Sequence, residues 1–367
     1  MALLNTAFWN LQNLFDTSLS EIAADFEFTP ANGWTNETKD KKIENLANII
    51  NQMFEGNGPD LLGLCEIENL SIANELLAQL DRQDLAVAHV DSPDIRGIDC
   101  SLIYDTTMFE IIGKPKEHLV HLRYPTRDIF EVALKVKEND AELIVLVNHW
   151  PSRSRGRYES EPFRITVASQ CGKIVDEHLK LDRQAFLALD DTEEAMTFLN
   201  DKWNVNILIM GDLNDEPYDR SVLEELQASN GYDKIEEIIK RGQSEATHLP
   251  SISSYLKKEA FLFNCSWGKA SKPDVGTHFY SQSINTMNML DQFIISRGLL
   301  FGTNGLQLVR DDDDLPMLEI FTPEIMRTST TTVRPKKFTF NIKADGTVTN
   351  NNGYSDHFPI LTQIRTL

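Results

Sequence analysis

Val205-Asn206-Ile207-Leu208-Ile209-Met210 runs without a break into Gly211-Asp212-Leu213-Asn214, and that junction decides how the chain is read. A short apolar run of this length reads as a buried strand, and here it delivers a carboxylate and an amide at its end. The junction recurs. Phe8-Trp9 leads to Asn10, Leu64-Cys65 to Glu66, Leu146-Val147 to Asn148-His149, Leu290 to Asp291, and Tyr354-Ser355 to Asp356-His357. Any one of these reads as a cap or a turn residue. Six together, each acidic, amide or imidazole, point to one site assembled from strand ends, where α/β folds gather their chemistry.

Between the junctions, periodicity supplies the remaining elements. Ile43, Leu46, Ala47 and Ile50 repeat at helical spacing, so a helix is expected over 38–54, and another over 71–80. Segments 85–90, 100–104, 109–113, 129–137 and 143–147 read as strands joined by short turns, which favours antiparallel pairing. Helices are expected over 162–181, 192–203, 221–229 and 234–240, and a strand over 288–296. Residues 25–36 read as loop. Residues 311–337 read as an insertion loop, with an acidic run (Asp311 to Asp314) that reads as solvated surface or a calcium site, and a Thr-rich basic segment. With no internal repeat and no clean linker, the expectation is one domain over 1–367: an α/β fold with sheet packed on sheet and helices outside.

Composition narrows the partners. Lys+Arg number 35 against Asp+Glu 56, a net charge of −21; such a surface repels polyanions at long range, and duplex nucleic acid most of all. Four widely spaced cysteines, Cys65, Cys100, Cys171 and Cys265, argue against a disulfide framework and a cysteine zinc site. No run reaches membrane-spanning length. No basic segment followed by an apolar core precedes the first strand, so no signal peptide is expected; the chain reads as cytoplasmic or as secreted after trimming. No obligate protein partner is expected.

The strand-end residues suit phosphate-ester hydrolysis. Oxygen ligands such as Glu66 and Asp356 suit Mg²⁺ or Mn²⁺, which offsets charge on phosphorus and on the leaving oxygen. An Asp-x-Asn unit orients a water and donates to a phosphoryl oxygen, and paired imidazoles add proton transfer or charge stabilisation. Phe8-Trp9-Asn10-Leu11-Gln12-Asn13, Gly63-Leu64-Cys65-Glu66-Ile67-Glu68-Asn69, Asn148-His149-Trp150-Pro151-Ser152, Gly211-Asp212-Leu213-Asn214-Asp215 and Ser355-Asp356-His357 resemble the ordered motifs of the endonuclease/exonuclease/phosphatase superfamily. The resemblance spans essentially the whole chain and implies a four-layer α/β/β/α sandwich, two mainly antiparallel sheets flanked by helices, with the site at the rim of the sheets.

The resemblance also implies roles. Glu66 is the principal metal ligand, with Asn10 and Asp356 close to the ion. Asp212 positions or activates the attacking water, Asn214 steadies the transition state, His357 contacts the scissile phosphate and is held by Asp291, and His149 is the second imidazole. Arg96 reads as a phosphate ligand or a turn ion pair, and Asp99 as a partner for His149. Arg153 and Arg155 read as a substrate-anion clamp or as partners of Glu159 and Glu161. His278 reads as structural; His89, His118, His121, His178 and His248 have no matching context. Cys65 stands where many relatives carry Gln. The substrate is then a phosphodiester, nucleic acid included, or a small or lipid-head-group phosphate ester, and a non-catalytic protein keeping the fold is the reading from another class.

Overall fold

The computed structural model describes residues 1–18, 26–244, 248–270, 272, 274–280, 286–311, 315–329 and 333–367, with side chains of 241–244 not included. The first sheet is built from β1 (Leu3–Leu14), β2 (Leu61–Ile67), β3 (Leu85–His89), β4 (Asp99–Asp105), β15 (Leu306–Leu308), β16 (Glu319–Ile320) and β19 (Ile360–Thr366). Its order is β15-β19-β1-β2-β4-β3, with β16 also on β19. The second holds β5 (Phe109–Ile111), β6 (Lys116–His118), β7 (Ile129–Val136), β8 (Glu142–His149), β9 (Asn206–Asp212), β10 (Ala228–Ser229), β11 (Leu262–Asn264) and β14 (Asp291–Ile295). Its order is β10-β11-β14-β9-β8-β7-β5, with β6 also on β7. Two hairpins, β12–β13 (His278–Tyr280, Thr286–Asn288) and β17–β18 (Phe340–Ile342, Val348–Asn350), stand apart. Pairing is mostly antiparallel; β1–β2, β8–β9 and β10–β11 are parallel.

Alternation along the strands sorts side chains into layers. Phe8, Leu61, Cys65, Leu102, Val145, Val147, Leu208, Met210 and Phe293 meet between the sheets. Ala7, Trp9, Leu62 and Leu64 face the other way, against Ile43, Leu46, Ile50 and Ile72 of α1 (Asn36–Gln52) and α2 (Leu70–Leu77). Ile144, Leu146, Ile207, Ile209 and Ile294 pack on Val167, Cys171, Ile174 and Val175 of α3 (Arg157–Leu179). The layers run helix, sheet, sheet, helix, as the α/β sandwich expectation has it. All four cysteines are buried and free, and among the described residues no helix is long and apolar enough to cross a membrane.

Some boundaries differ from the sequence reading. α3 starts at Arg157, with Pro162 inside it; Pro suits a first helical turn, which drew the expected start five residues too late. Residues 311–337 are not wholly irregular, since β16 pairs with β19 and Glu324–Met326 forms a 3-10 turn. Strands of two residues are too short for alternation to register. Asp25, Asp312 to Asp314 and residues 330–332 lie outside the described residues, so the loop and acidic-run readings there stand apart from this description.

Gly211 marks a close approach beside the strand-end residues. A Cβ there would lie 2.2 Å from the Asn148 carbonyl oxygen and 2.8 Å from its carbon, backbone atoms that cannot yield without parting β8 from β9. Gly211→Ala is therefore expected to destabilise the fold by about 1–3 kcal/mol, the usual range for overpacking. An unchanged urea midpoint in the purified variant would contradict this.

Candidate active site

At one rim the inter-sheet core ends and polar side chains take over its inward-facing positions. On β8 the inward series Val145, Val147 continues to His149; on β9 Leu208, Met210 continues to Asp212; on β14 Ile295, Phe293 continues to Asp291. Register places Asp212 opposite both His149 and Asp291. From the facing sheet, Asn10 follows Phe8 inward and its Nδ2 donates to Asp212 Oδ2 at 3.1 Å.

Glu66 arrives differently. Leu62 and Leu64 face the helices, so strict alternation would send Glu66 there too. Instead β2 shifts register between Cys65 and Ile67, and Glu66 takes φ +61, a left-handed conformation that costs a non-glycine residue roughly 1–3 kcal/mol. This bulge re-aims the carboxylate. Gln12, Asn13 and Asn214, at the same rim, are also left-handed. Glu66 Oε2 accepts from Asn13 N at 2.9 Å, and Oε1 lies 3.5 Å from His149 Nε2.

Asp212 is the hub. Its Oδ2 lies 3.8 Å from His149 Nε2 and 3.8 Å from His357 Nε2, while Oδ1 accepts from Asn214 N at 3.0 Å. The two imidazoles differ in charge. Burial, then the nearby Arg127 and Arg96 cations, push His149 well down, so it is neutral at pH 7. For His357, burial alone would also lower the pKa, but the Asp291 and Asp212 carboxylates outweigh it and raise the imidazole to about 10. Asp291 Oδ2 sits 2.7 Å from His357 Nδ1. Burial raises Asp212 and Glu66; Asp356 adds to the rise of Glu66 while Arg96 opposes it.

The carboxylates at the rim have the chemistry of a divalent-cation site. Glu66 and half-buried Asp356 are carboxylates without a bidentate cationic partner, and among the described residues no hydrogen-bond donor reaches Asp356. Burial lifts the Glu66 carboxyl, and the Asp356 and Asp212 charges lift it further, the signature of negative charge packed more densely than the local cations offset. An all-oxygen set of this kind fits Mg²⁺ or Mn²⁺. Asn10 is beside it, although its Oδ1 already accepts from Gln12 N at 2.9 Å. Asp212, Asp291 and His357 also offer ligand atoms within 4.8 Å of one another.

The arginines divide. Arg96 Nη2 donates to Asn13 Oδ1 at 2.7 Å, and its charge acts on Glu66 and His149. Arg155 is exposed, with its guanidinium 5.8 Å from the Tyr124 ring. Arg153 corrects the clamp reading: it is buried, its Nε donates to the Asn214 carbonyl at 2.6 Å, and Nη2 reaches Asp219 at 2.9 Å and Asp215 at 3.3 Å. It braces the turn after Asp212, and neither Glu159 nor Glu161 is its partner. Asp99 is likewise not the partner of His149, whose Nδ1 has no hydrogen bond among the described residues.

Several residues at the site carried no sequence signal or a wrong one. His278, read as structural, bridges to His357 with ring centroids 4.7 Å apart. Arg127 holds the strand end below His149, donating from Nε to the His149 carbonyl at 3.3 Å and from Nη2 to that of Trp150 at 3.0 Å. Trp9 Nε1 donates to the His357 carbonyl at 2.9 Å. Lys42, fully buried under the Asn10–Asn13 turn, bonds to the carbonyl of Gln12; burial pushes its ammonium down to about 7 despite the pull of Asp356 and Glu66. Lys42 lies on the Ile43–Leu46–Ile50 stripe of α1, and a lysine on an apolar stripe was the available cue.

The chain belongs to the endonuclease/exonuclease/phosphatase family, whose sequence model matches residues 5–195, just over half of the chain. Members of this family are hydrolases of phosphate ester bonds, and so is this protein. Solved structures share the fold at low identity. The human Nocturnin catalytic domain with bound sulfate is 12% identical with TM-score 0.52, covering 100% of this chain and 95% of that one. A Bacteroides thetaiotaomicron mannosyl-6-phosphatase is 13% identical with TM-score 0.51, covering 99% of each. A humanised Danio rerio TDP2 is 11% identical with TM-score 0.51, again covering 99% of each. A comparison with curated protein sequences returned no match.

The His357–Asp291 pair has a stability consequence with a definite sign. A histidine raised to about 10 in the folded state contributes stability that is fully present below its unfolded value of about 6.5 and is lost as pH rises through about 10. In EDTA, unfolding free energy should therefore decline between pH 7 and 10, and Asp291→Asn should flatten that decline. Equal pH slopes in the two proteins, measured by chemical denaturation, would count against the pairing.

Proposed function

We propose that the protein is a metal-dependent phosphodiesterase, nuclease-like in mechanism, that hydrolyses a phosphodiester by in-line attack of water. The observation carrying this reading is one buried carboxylate oxygen, Asp212 Oδ2, set 3.8 Å from the Nε2 atoms of both His149 and His357. Glu66 and Asp356, with Asn10 beside them, are the residues that would hold Mg²⁺ or Mn²⁺. Such an ion neutralises charge at phosphorus and on the leaving oxygen.

The chain's own groups do the rest. Asp212, its basicity raised by burial, orients the attacking water and accepts its proton, with Oδ1 pinned by Asn214 N and Oδ2 by Asn10 Nδ2. His357 meets the phosphoryl oxygens as an imidazolium, donating from Nε2 while Asp291 holds Nδ1. His149 supplies a neutral imidazole on the other side of Asp212. One N–H of the Asn214 amide is taken by the Trp150 carbonyl at 3.1 Å, and the second is available to the transition state. Arg96 and exposed Arg155 receive the rest of the anion.

Net charge of −21 favours a second reading, a small phosphate ester in place of a long polyanion; the likeness of fold to a mannosyl-6-phosphatase is compatible with it. Assays with bis-p-nitrophenyl phosphate, p-nitrophenyl phosphate, supercoiled plasmid and RNA, each with Mg²⁺, Mn²⁺ or EDTA, separate the two. Turnover of the diester is expected with metal only. Glu66→Gln, Asp212→Asn and His357→Ala should each lower kcat/KM by about 100-fold or more. Metal-independent turnover, or full activity in these variants, would overturn the mechanism; turnover of the monoester alone would favour the second reading.

A further inference from the structure

A second cluster sits on the first sheet, two strands along from Glu66. His89 ends β3 and pairs with Ser101 across to β4; Asp99 opens β4 opposite Ile67, one residue past Glu66. Asp91 lies in the connection between the strands. His89 Nε2 is 3.0 Å from Asp91 Oδ1 and 3.7 Å from Asp99 Oδ2, and the three ligand atoms all lie within 4.8 Å of one another. The His89 and Asp99 side chains are 2% and 3% exposed, that of Asp91 79%. The site is thus two buried donors closed from solvent by one surface carboxylate.

Two features separate this cluster from a chance meeting of surface acids. Asp99 is buried and its Oδ1 accepts from Ser92 N at 2.9 Å, which holds the carboxylate with Oδ2 toward His89. His89 Nδ1 lies 2.7 Å from Ser101 Oγ, the outer-ring contact that fixes the orientation of a metal-binding imidazole. Burial also pushes His89 down and Asp99 up to about 7, the latter helped by Asp91 and Asp94.

We propose that His89 Nε2, Asp91 Oδ1 and Asp99 Oδ2 form a zinc site that is separate from the cleft and fixes the β3–β4 connection. One imidazole with two carboxylates suits Zn²⁺, whereas the all-oxygen set at Glu66 suits Mg²⁺; water completes the coordination. The connection it closes carries Arg96, bonded to Asn13, and Asp94, whose Oδ2 accepts from Arg127 Nη1 at 3.2 Å. Arg127 in turn supports His149, so the ion would brace both arms of the loop that borders the cleft.

Zinc titration by calorimetry of EDTA-treated, dialysed protein tests this without an activity assay. In a Glu66→Gln background, which weakens the cleft, one equivalent of Zn²⁺ is expected to remain. Adding His89→Ala should weaken it by at least about tenfold. Asp91→Asn should weaken it too, and because Asp91 is exposed that variant keeps its fold. The His89 Nε2 resonance in ¹⁵N spectra should move on zinc addition. No zinc binding at micromolar concentration, binding lost with Glu66→Gln alone, or binding unchanged in both His89→Ala and Asp91→Asn would overturn the site and show His89 to be an ordinary hydrogen-bonded histidine. None of these outcomes depends on the phosphodiesterase reading.

Discussion

Two sheets packed face to face leave one kind of place for polar side chains in their shared layer, the rim where the strands end. Four residues of the candidate site follow directly from that constraint. The inward Val145 and Val147 of β8, Leu208 and Met210 of β9, Ile295 and Phe293 of β14 and Phe8 of β1 are followed at the next inward position by His149, Asp212, Asp291 and Asn10. A one-residue slip in any of these strands would turn its site residue toward the helices. The apolar core is thus what aligns the chemistry.

The electrostatics follow from the same burial. At the rim, groups that carry charge in water are surrounded by protein, and each is then set by its neighbours. Burial lowers His149, with Arg127 and Arg96 adding to it, whereas at His357 the Asp291 and Asp212 carboxylates outweigh burial and raise the imidazole. Identical side chains at the same distance from Asp212 Oδ2 are therefore pushed in opposite directions. In the proposed mechanism Asp212 takes the proton of the water and His357 meets the phosphoryl oxygens, so the two imidazoles beside that carboxylate have different work.

Much of this was legible in the sequence. The buried runs before Asn10, Glu66, His149, Asp212, Asp291 and His357 were visible because strand burial leaves continuous apolar segments; helix–strand alternation gave a sheet-on-sheet core under helices, and the family resemblance implied the four-layer order. What escaped is long-range. Arg127, Lys42 and Trp9 act through contacts to backbone carbonyls distant in the chain, and no local spacing encodes those. Arg153 sits next to a site motif yet turns to Asp215 and Asp219, because those carboxylates come near only when β9 and the segment after it are folded. The Glu66 bulge was also invisible: alternation predicts the helix side, and only the register shift reverses it.

The account rests on the unlike charges of the two imidazoles beside Asp212. Histidine side-chain ¹⁵N spectra of the metal-free protein at pH 7, assigned with His149→Gln and His357→Gln, measure this directly. The account predicts that His357 carries protons on both ring nitrogens while His149 carries one. Finding His357 neutral, or both residues in the same charge state, would contradict it.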